Sequence, residues 1–190
     1  MRRLVALVAV AACCGCGAAK HAGTTNTTST QSAGFALDPP VAAPTFSLRD
    51  ERGQTIGPQD ERGHLLVVTF LYTRCPDVCP LIANNLAAAQ RRNAGLRVIA
   101  VSVDPAHDTA AAVRHFLREH HAGPRFHYVY GSRAQLQPVW RRYHIAALPG
   151  PSGTVSHSSF SVLVDRSGRE RRLFDSTVTA AQVLRAAAQY

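Results

Sequence analysis

Hydrophobic and polar positions change their period several times along the chain, and each change marks an element. Leu4 to Ala12 is an unbroken apolar run behind Met1-Arg2-Arg3, and Gly17 to about Pro44 carries no period at all. From Phe46 the pattern becomes ordered. Phe46 and Leu48 alternate with polar residues, Asp50 to Gly53 can turn, and Thr55 and Ile56 return, which predicts a short hairpin. Leu65 to Tyr72 is almost continuously apolar and rich in β-formers, as in a strand covered on both faces. Ile82, Leu86 and Ala89 then recur at i, i+4, i+7, predicting a helix that Gly95 closes. Arg97 to Val103 is a second buried strand. A helix capped by Asp108 or Thr109 follows, with Val113, Phe116, Leu117 and His120 on its apolar face. Phe126 to Tyr130 reads as a third strand. Ser132 opens a helix bearing Leu136, Val139, Trp140 and Tyr143 on one side, and Pro138 within it predicts a kink or a late start. After the loop "HIAALPGPSGTVSH" come the strand "SFSVLVD", a turn at Arg166 to Gly168, the strand "RERRLF", and a helix from about Thr179 to Ala188.

Strands alternating with helices, then a terminal strand pair, predict one α/β domain over residues 45–190. The expected architecture is thioredoxin-like, a central mixed β-sheet flanked by helices on both faces. A chain of 190 residues, 46% of them apolar, is long enough to bury such a core. Its five cysteines form two groups, Cys13, Cys14 and Cys16, then Cys75 and Cys79. None lies beyond Cys79, so no disulfide framework spans the fold and the core must be hydrophobic.

The N-terminus reads as an address. A basic start, a short apolar run and small residues before a cut have the layout of a secretory signal, too short to span a bilayer. Val10-Ala11-Ala12-Cys13 resembles a bacterial lipobox, which predicts a lipoprotein signal peptide over residues 1–12 and lipidation of Cys13, with Cys14 and Cys16 as less suitable alternatives. The Thr-, Ser- and Gly-rich residues 13–44 then read as a flexible tether. Together these predict a domain anchored by lipid to the extracytoplasmic (periplasmic) face of the cell membrane. Charge agrees: 21 basic against 12 acidic residues give +9, suited to an anionic membrane. A nucleic-acid partner is not expected, because the arginines are scattered and lack interleaved aromatic stacking platforms.

The chemistry is concentrated in "TFLYTRCPDVCP". A strand feeding a helix puts Cys75 and Cys79 at the first helical turn, where unpaired N–H groups, the helix dipole and Arg74 lower thiol pKa values. Side chains at i and i+4 lie roughly 5–6 Å apart on one face, so two sulfurs can share a metal ion or close into a disulfide. Pro76 shapes the entry, and Pro80 sits where no N–H is needed. Two thiolates alone suit Cu(I), so a third ligand would be informative. Of nine histidines, His21 lies in the tether, and His64, His107, His115, His120, His121, His127 and His144 sit at predicted surfaces, strand ends or helix ends. His157 differs: it precedes a strand whose start, in a thioredoxin-like sheet, lies beside the cysteine helix. An S₂N set fits copper in either oxidation state.

Three segments, "FLYTRCPDVCP", "VSVDPAHDT" and "VSHSSFSVLVD", are similar to the signature segments of the SCO/SenC family of copper-binding, thioredoxin-like proteins. The resemblance runs from about Phe46 to the C-terminus. It implies a copper ion held by Cys75, Cys79 and His157, with the family's aspartates falling on Asp77, Asp104 and Asp108. It also implies a metallochaperone delivering copper in cytochrome c oxidase assembly, with an oxidase subunit or other copper-site protein as partner. The lipid anchor in place of a transmembrane helix, and the proline-rich "ALPGPSG" before His157, are departures. For the three aspartates, helix capping and turn formation compete with a site role, most strongly at Asp108. The main alternative is an extracytoplasmic thiol–disulfide oxidoreductase working with a thiol reductant, in which Cys75 attacks and Cys79 resolves. A peroxidase reading fails on its expected threonine three residues before the reactive cysteine, where Tyr72 stands. An enzymatic role beyond thiol exchange is not expected.

Overall fold

The computed structural model describes residues 34–150 and 154–190. The expected signal peptide, the lipidation site Cys13 and the neighbouring Cys14 and Cys16 lie outside the described residues. Ten strands and four α-helices follow in order: β1 (Phe35–Ala42), β2 (Leu48–Asp50), β3 (Thr55–Ile56), β4 (Leu65–Leu71), α1 (Val78–Arg92), β5 (Leu96–Ser102), α2 (Ala110–Glu119), β6 (Phe126–Tyr130), α3 (Arg133–Arg142), β7 (Ala147–Pro149), β8 (Val155–His157), β9 (Ser161–Val164), β10 (Arg169–Phe174) and α4 (Ala180–Ala187). Eight strands form one sheet in the order β1-β10-β9-β4-β5-β6-β2-β3, and β7 with β8 form a separate pair.

Strands β4, β5 and β6 run parallel, with Leu65 opposite Leu96 and Val98 opposite Phe126. Strand β9 returns antiparallel to β4 and pairs Ser161 with Thr69, whose hydroxyl accepts the Ser161 Oγ–H at 2.9 Å. The sheet is therefore mixed. All seven residues of β4 are buried, which explains why its sequence does not alternate. Helices α1, α2 and α4 pack on β5, β6 and β9, and α1 also packs on α4. Tyr143, just past α3, tilts against Phe70 of β4 at 5.3 Å between ring centroids. The expected thioredoxin-like α/β arrangement is the one found.

Capping residues set the helix starts. Thr109 accepts from Ala112 N–H, Ser132 from Gln135 N–H and Thr179 from Gln182 N–H, the last two in reciprocal capping boxes. The Ser132 box overrides Pro138: α3 begins at Arg133 and carries the proline inside rather than starting late.

Two expectations are corrected. Residues 35–42, assigned to the tether from their composition, form edge strand β1, pairing Phe35 with Leu173 and Val41 with Glu170. The folded region thus begins about ten residues before position 45. An edge strand exposed along most of its length needs neither apolar alternation nor every N–H, so Pro39 and Pro40 are tolerated. The segment expected as an open loop before His157 also contains the β7–β8 pair, with Ala147 opposite His157.

Candidate metal centre

Strand β4 ends at Leu71, and the chain turns through Tyr72–Asp77 before α1 begins at Val78. Cys79 is thus in the first turn of the helix, while Cys75 precedes the N-cap residue Asp77 and does not share a helical face with it. The turn nevertheless brings the two together. The Cys79 N–H donates to Cys75 Sγ at 3.5 Å, and both cysteines are free. Cys79 is wholly buried and Cys75 nearly so, at 9% exposed.

The approach to the helix is held from below by Asp108. Its Oδ1 accepts the Thr73 N–H at 2.9 Å and the Thr73 hydroxyl at 2.7 Å, and its Oδ2 accepts Ser102 Oγ–H at 2.6 Å and Tyr128 O–H at 2.9 Å. Asp108 is 4% exposed; burial pushes its carboxyl up, against the lowering effect of these donors. The competing role of a helix cap falls to Thr109 instead, and Asp108 ties the cysteine loop to β5 and β6. Asp77 occupies the N-cap position of α1 without a side-chain cap bond. Asp104 pairs with His107 at 2.8 Å on the neighbouring loop.

His157 closes β8, and its ring enters from the other side. Its Nε2 lies 3.9 Å from Cys79 Sγ, while its Nδ1 is 3.1 Å from the Ser158 carbonyl. A carbonyl can only accept, so Nδ1 carries the proton and Nε2 presents its lone pair to the sulfur. Burial lowers the His157 pKa, partly offset by the Ser158 carbonyl and by Cys75, so the imidazole is neutral at pH 7. Two buried sulfurs and a neutral imidazole are a soft donor set, from which a bound metal would still have to displace one thiol proton. Among the described residues, no three Cys, His, Asp or Glu side chains yet converge closely enough to hold an ion. The shortfall at His157 is small: a metal with sulfur and nitrogen bonds of zinc-like length separates S and N by roughly 3.6–3.8 Å.

The thiols are unequal. Cys75 is lowered to about 5, first by its hydrogen bond with Cys79, then, against burial, by the backbone N–H groups of Asp77 and Cys79 and by the Tyr72 hydroxyl. The same bond, and then burial, push Cys79 well above the ordinary thiol value. One proton is thus shared across the pair, with Cys75 as the thiolate.

Tyr72 is the contributor that sequence reasoning missed. Its ring meets the His157 ring edge-on at 5.7 Å, and its hydroxyl reaches both Cys75 and the Val155 backbone, linking the cysteine turn to the histidine hairpin. Burial raises the Tyr72 pKa, so the hydroxyl keeps its proton and can donate to Cys75. Nothing in an apolar run ending "FLY" distinguishes this tyrosine from a core residue. Other described histidines lie elsewhere: His107 pairs with Asp104, His115 with Glu119, and His120 packs on Phe116. His64 stands beside Arg97, and His121 and His144 are exposed. His127, expected near a surface, is buried and bonded to Asp50.

Known proteins resemble this chain in sequence and fold. The sequence model of the SCO1/SenC family matches residues 36–190. The SCO2-like protein RP587 of Rickettsia prowazekii is 26% identical over 149 residues, spanning 73% of this chain and 72% of that protein. The mitochondrial SCO2 homolog of Bos taurus is 30% identical over 149 residues, spanning 73% of this chain and 55% of its own. The structure of Bradyrhizobium japonicum ScoI with copper bound is 27% identical, with a TM-score of 0.66 over 79% of this chain and 99% of that one. With the match running from β1 to the last residue, and the CPDVCP turn and His157 facing each other within it, this chain belongs to the SCO1/SenC family.

Proposed function

We propose that the protein is a membrane-tethered copper metallochaperone that binds copper through Cys75, Cys79 and His157 and delivers it in the assembly of cytochrome c oxidase. One observation carries the reading: residues 78 positions apart present a sulfur and an unprotonated imidazole nitrogen to each other at 3.9 Å. As a thiol-to-imidazole hydrogen bond the contact is long and weak, whereas the same two atoms are donor types that copper takes. Cu(I) suits the two sulfurs alone, and His157 adds the nitrogen that Cu(II) prefers. Cys75 is the less buried of the two cysteines, so an incoming ligand of the recipient would approach from its side and displace this chain's donors one at a time. Support for the cargo and recipient comes from family membership and from the copper-bound relative.

The tether belongs to the same reading. A signal peptide over residues 1–12, a lipid on Cys13 and a spacer would hold the domain at the outer face of the membrane, where a reductant must keep both cysteines as thiols before loading. The test is a copper titration of residues 34–190, with Cys75→Ser, Cys79→Ser and His157→Ala beside the parent. Binding at one equivalent that each substitution weakens supports the site. Unchanged Cu(II) binding and thiolate charge-transfer absorption in His157→Ala would remove the histidine from it.

A second reading rests on the unequal thiols. With Cys75 held at about 5, its thiolate can attack a partner disulfide, releasing one partner thiolate and forming a mixed disulfide. Cys79 then displaces the second partner sulfur, leaving a Cys75–Cys79 disulfide and a reduced partner. Measuring the reduction potential of the pair against a thioredoxin-type donor separates this role from metal carriage.

A further inference from the structure

The end of the sheet opposite the cysteines has a different character. The parallel strands β4, β5 and β6 all begin there, and the turns that meet around those starts carry arginines. Arg52 reaches the Pro124 carbonyl at 2.7 Å, Arg91 reaches the His121 carbonyl at 3.2 Å, and the Arg166 carbonyl accepts Gly63 N–H at 2.9 Å. Arg97 lies 3.4 Å from Glu61 and Gln90 bonds the Arg125 carbonyl, so five separate turns converge on one face. It gathers Arg52, Arg62, Arg91, Arg92, Arg97, Arg118, Arg125 and Arg166.

The acidic residues of this region neutralise only part of the face: Glu51 pairs with Arg52 at 2.9 Å and Glu61 with Arg97, and most of the acids are otherwise turned inward. Asp50 is fully buried and bonded to His127 and to the N–H groups of Arg52 and Gln54. Glu51, Glu61 and Asp165 are each under 10% exposed, and each is bonded internally. Only Asp60 and Glu119 remain at the surface, and Glu119 pairs with His115 at 3.4 Å. Arg62, Arg92 and Arg118 are exposed and have no side-chain partner among the described residues.

We propose that this arginine face docks on the anionic headgroups of a lipid bilayer, holding the domain with its cysteines and His157 directed away from the membrane. The choice of a lipid surface over a protein rests on what the face lacks. A stable protein interface centres on buried apolar anchors, and the exposed large apolar residues Phe35, Val41, Leu81 and Leu148 all lie outside these turns. A headgroup layer asks only for cations spread over an area, each worth about fivefold in affinity. The inference extends the tethering reading by giving the tethered domain an orientation, but it does not need the anchor: the face would bind vesicles unaided.

The test uses residues 34–190, which hold the eight-stranded sheet and, among the described residues, the core from Ala43 to Ala187, enough to fold without the N-terminal segment. Co-sedimentation is measured with vesicles of phosphatidylglycerol and phosphatidylcholine, and with phosphatidylcholine alone. Expected are binding to the anionic vesicles only, its loss as salt rises, and a loss of at least tenfold in R62E/R92E/R118E. A control with the same charge change elsewhere, R74E/R133E/R141E, should lose less than threefold. No binding to anionic vesicles, equal losses in the two triple variants, or binding that salt does not weaken would each overturn the proposal. Because the fragment lacks Cys13, failure here leaves the lipid anchor untouched, whereas the anchor fails separately if the mature full chain carries no lipid.

Discussion

Cys79 is fully buried in a helix whose approach is held by four hydrogen bonds to Asp108, whereas His157 ends a three-residue strand paired with one other three-residue strand. The two halves of the site therefore hang from the fold differently. The cysteine turn is continuous with the most buried strand of the sheet, so displacing it disturbs the core. The β7–β8 hairpin stands outside the eight-stranded sheet and meets the cysteine turn through Tyr72 and His157. In the proposed hand-over, the anchored dithiol would retain the ion while the histidine, carried on the smaller hairpin, is exchanged.

The first way to break that comparison is to remove the fixed half's buried sulfur. Cys79→Ser should lower copper affinity on the order of 1,000-fold, since loss of a ligand exceeds the 10–100-fold typical of groups behind the ligands. Competition titration against a chelator of known affinity measures it. A loss under tenfold would mean that Cys75 and His157 suffice. Next comes the support beneath the turn. Asp108→Ala leaves Thr73 N–H and Tyr128 O–H buried without their acceptor, and should destabilise the domain by about 2–3 kcal/mol in urea unfolding. His157→Ala should cost less, about 1 kcal/mol, because its half-buried ring packs on a hairpin outside the main sheet. If the two substitutions cost the same, the two halves are equally embedded and the asymmetry is wrong.

A smaller effect sharpens the role of the hairpin half. His157→Ala should weaken Cu(II) binding by roughly 30-fold and Cu(I) binding by much less, because two thiolates already satisfy a linear ion. Parallel titrations in the two oxidation states, read by the thiolate-to-copper absorption for Cu(II), give the ratio. Equal losses in both states would place the histidine in a permanent three-ligand site and remove its separate role.

Legibility in the sequence followed burial. Continuous apolar stretches such as Leu65 to Tyr72 and "RVIAVSV" announced the central strands, and the caps Thr109, Ser132 and Thr179 announced helix starts, because these signals are local. Strand β1 was hidden: an edge strand with two prolines and mostly exposed side chains is compositionally the same as a tether, and only its partner β10 reveals it. The cysteines and His157 could be named from residue type and position. The turn that separates Cys75 from the helix, the Asp108 tie 35 residues distant from Thr73 and the Tyr72 bridge could not, since each depends on a long-range contact with no local pattern.

The subtlest consequence concerns Cys75 in the metal-free protein. An ordinary thiol titrates near 8.5, so between pH 8 and pH 6 its thiolate fraction, and its alkylation rate, fall on the order of 80-fold. Cys75, held at about 5 by Cys79 and the turn's N–H groups, stays mostly thiolate throughout that range. Its rate at pH 7 need not be high, because a thiolate of low pKa is intrinsically a weaker nucleophile and the two effects roughly cancel. The signature is the shape of the profile rather than the size of the rate. Iodoacetamide labelling of residues 34–190 should change less than about twofold from pH 8 to pH 6 and fall to about half near pH 5. Tyr72→Phe removes one donor to the thiolate and should move the bend upward, while His157→Ala should leave it nearly in place. A profile bending near pH 8.5 in the parent would show that Cys79 does not share its proton with Cys75. The fixed half would then be two ordinary thiols, with no advantage over the hairpin in receiving the ion first.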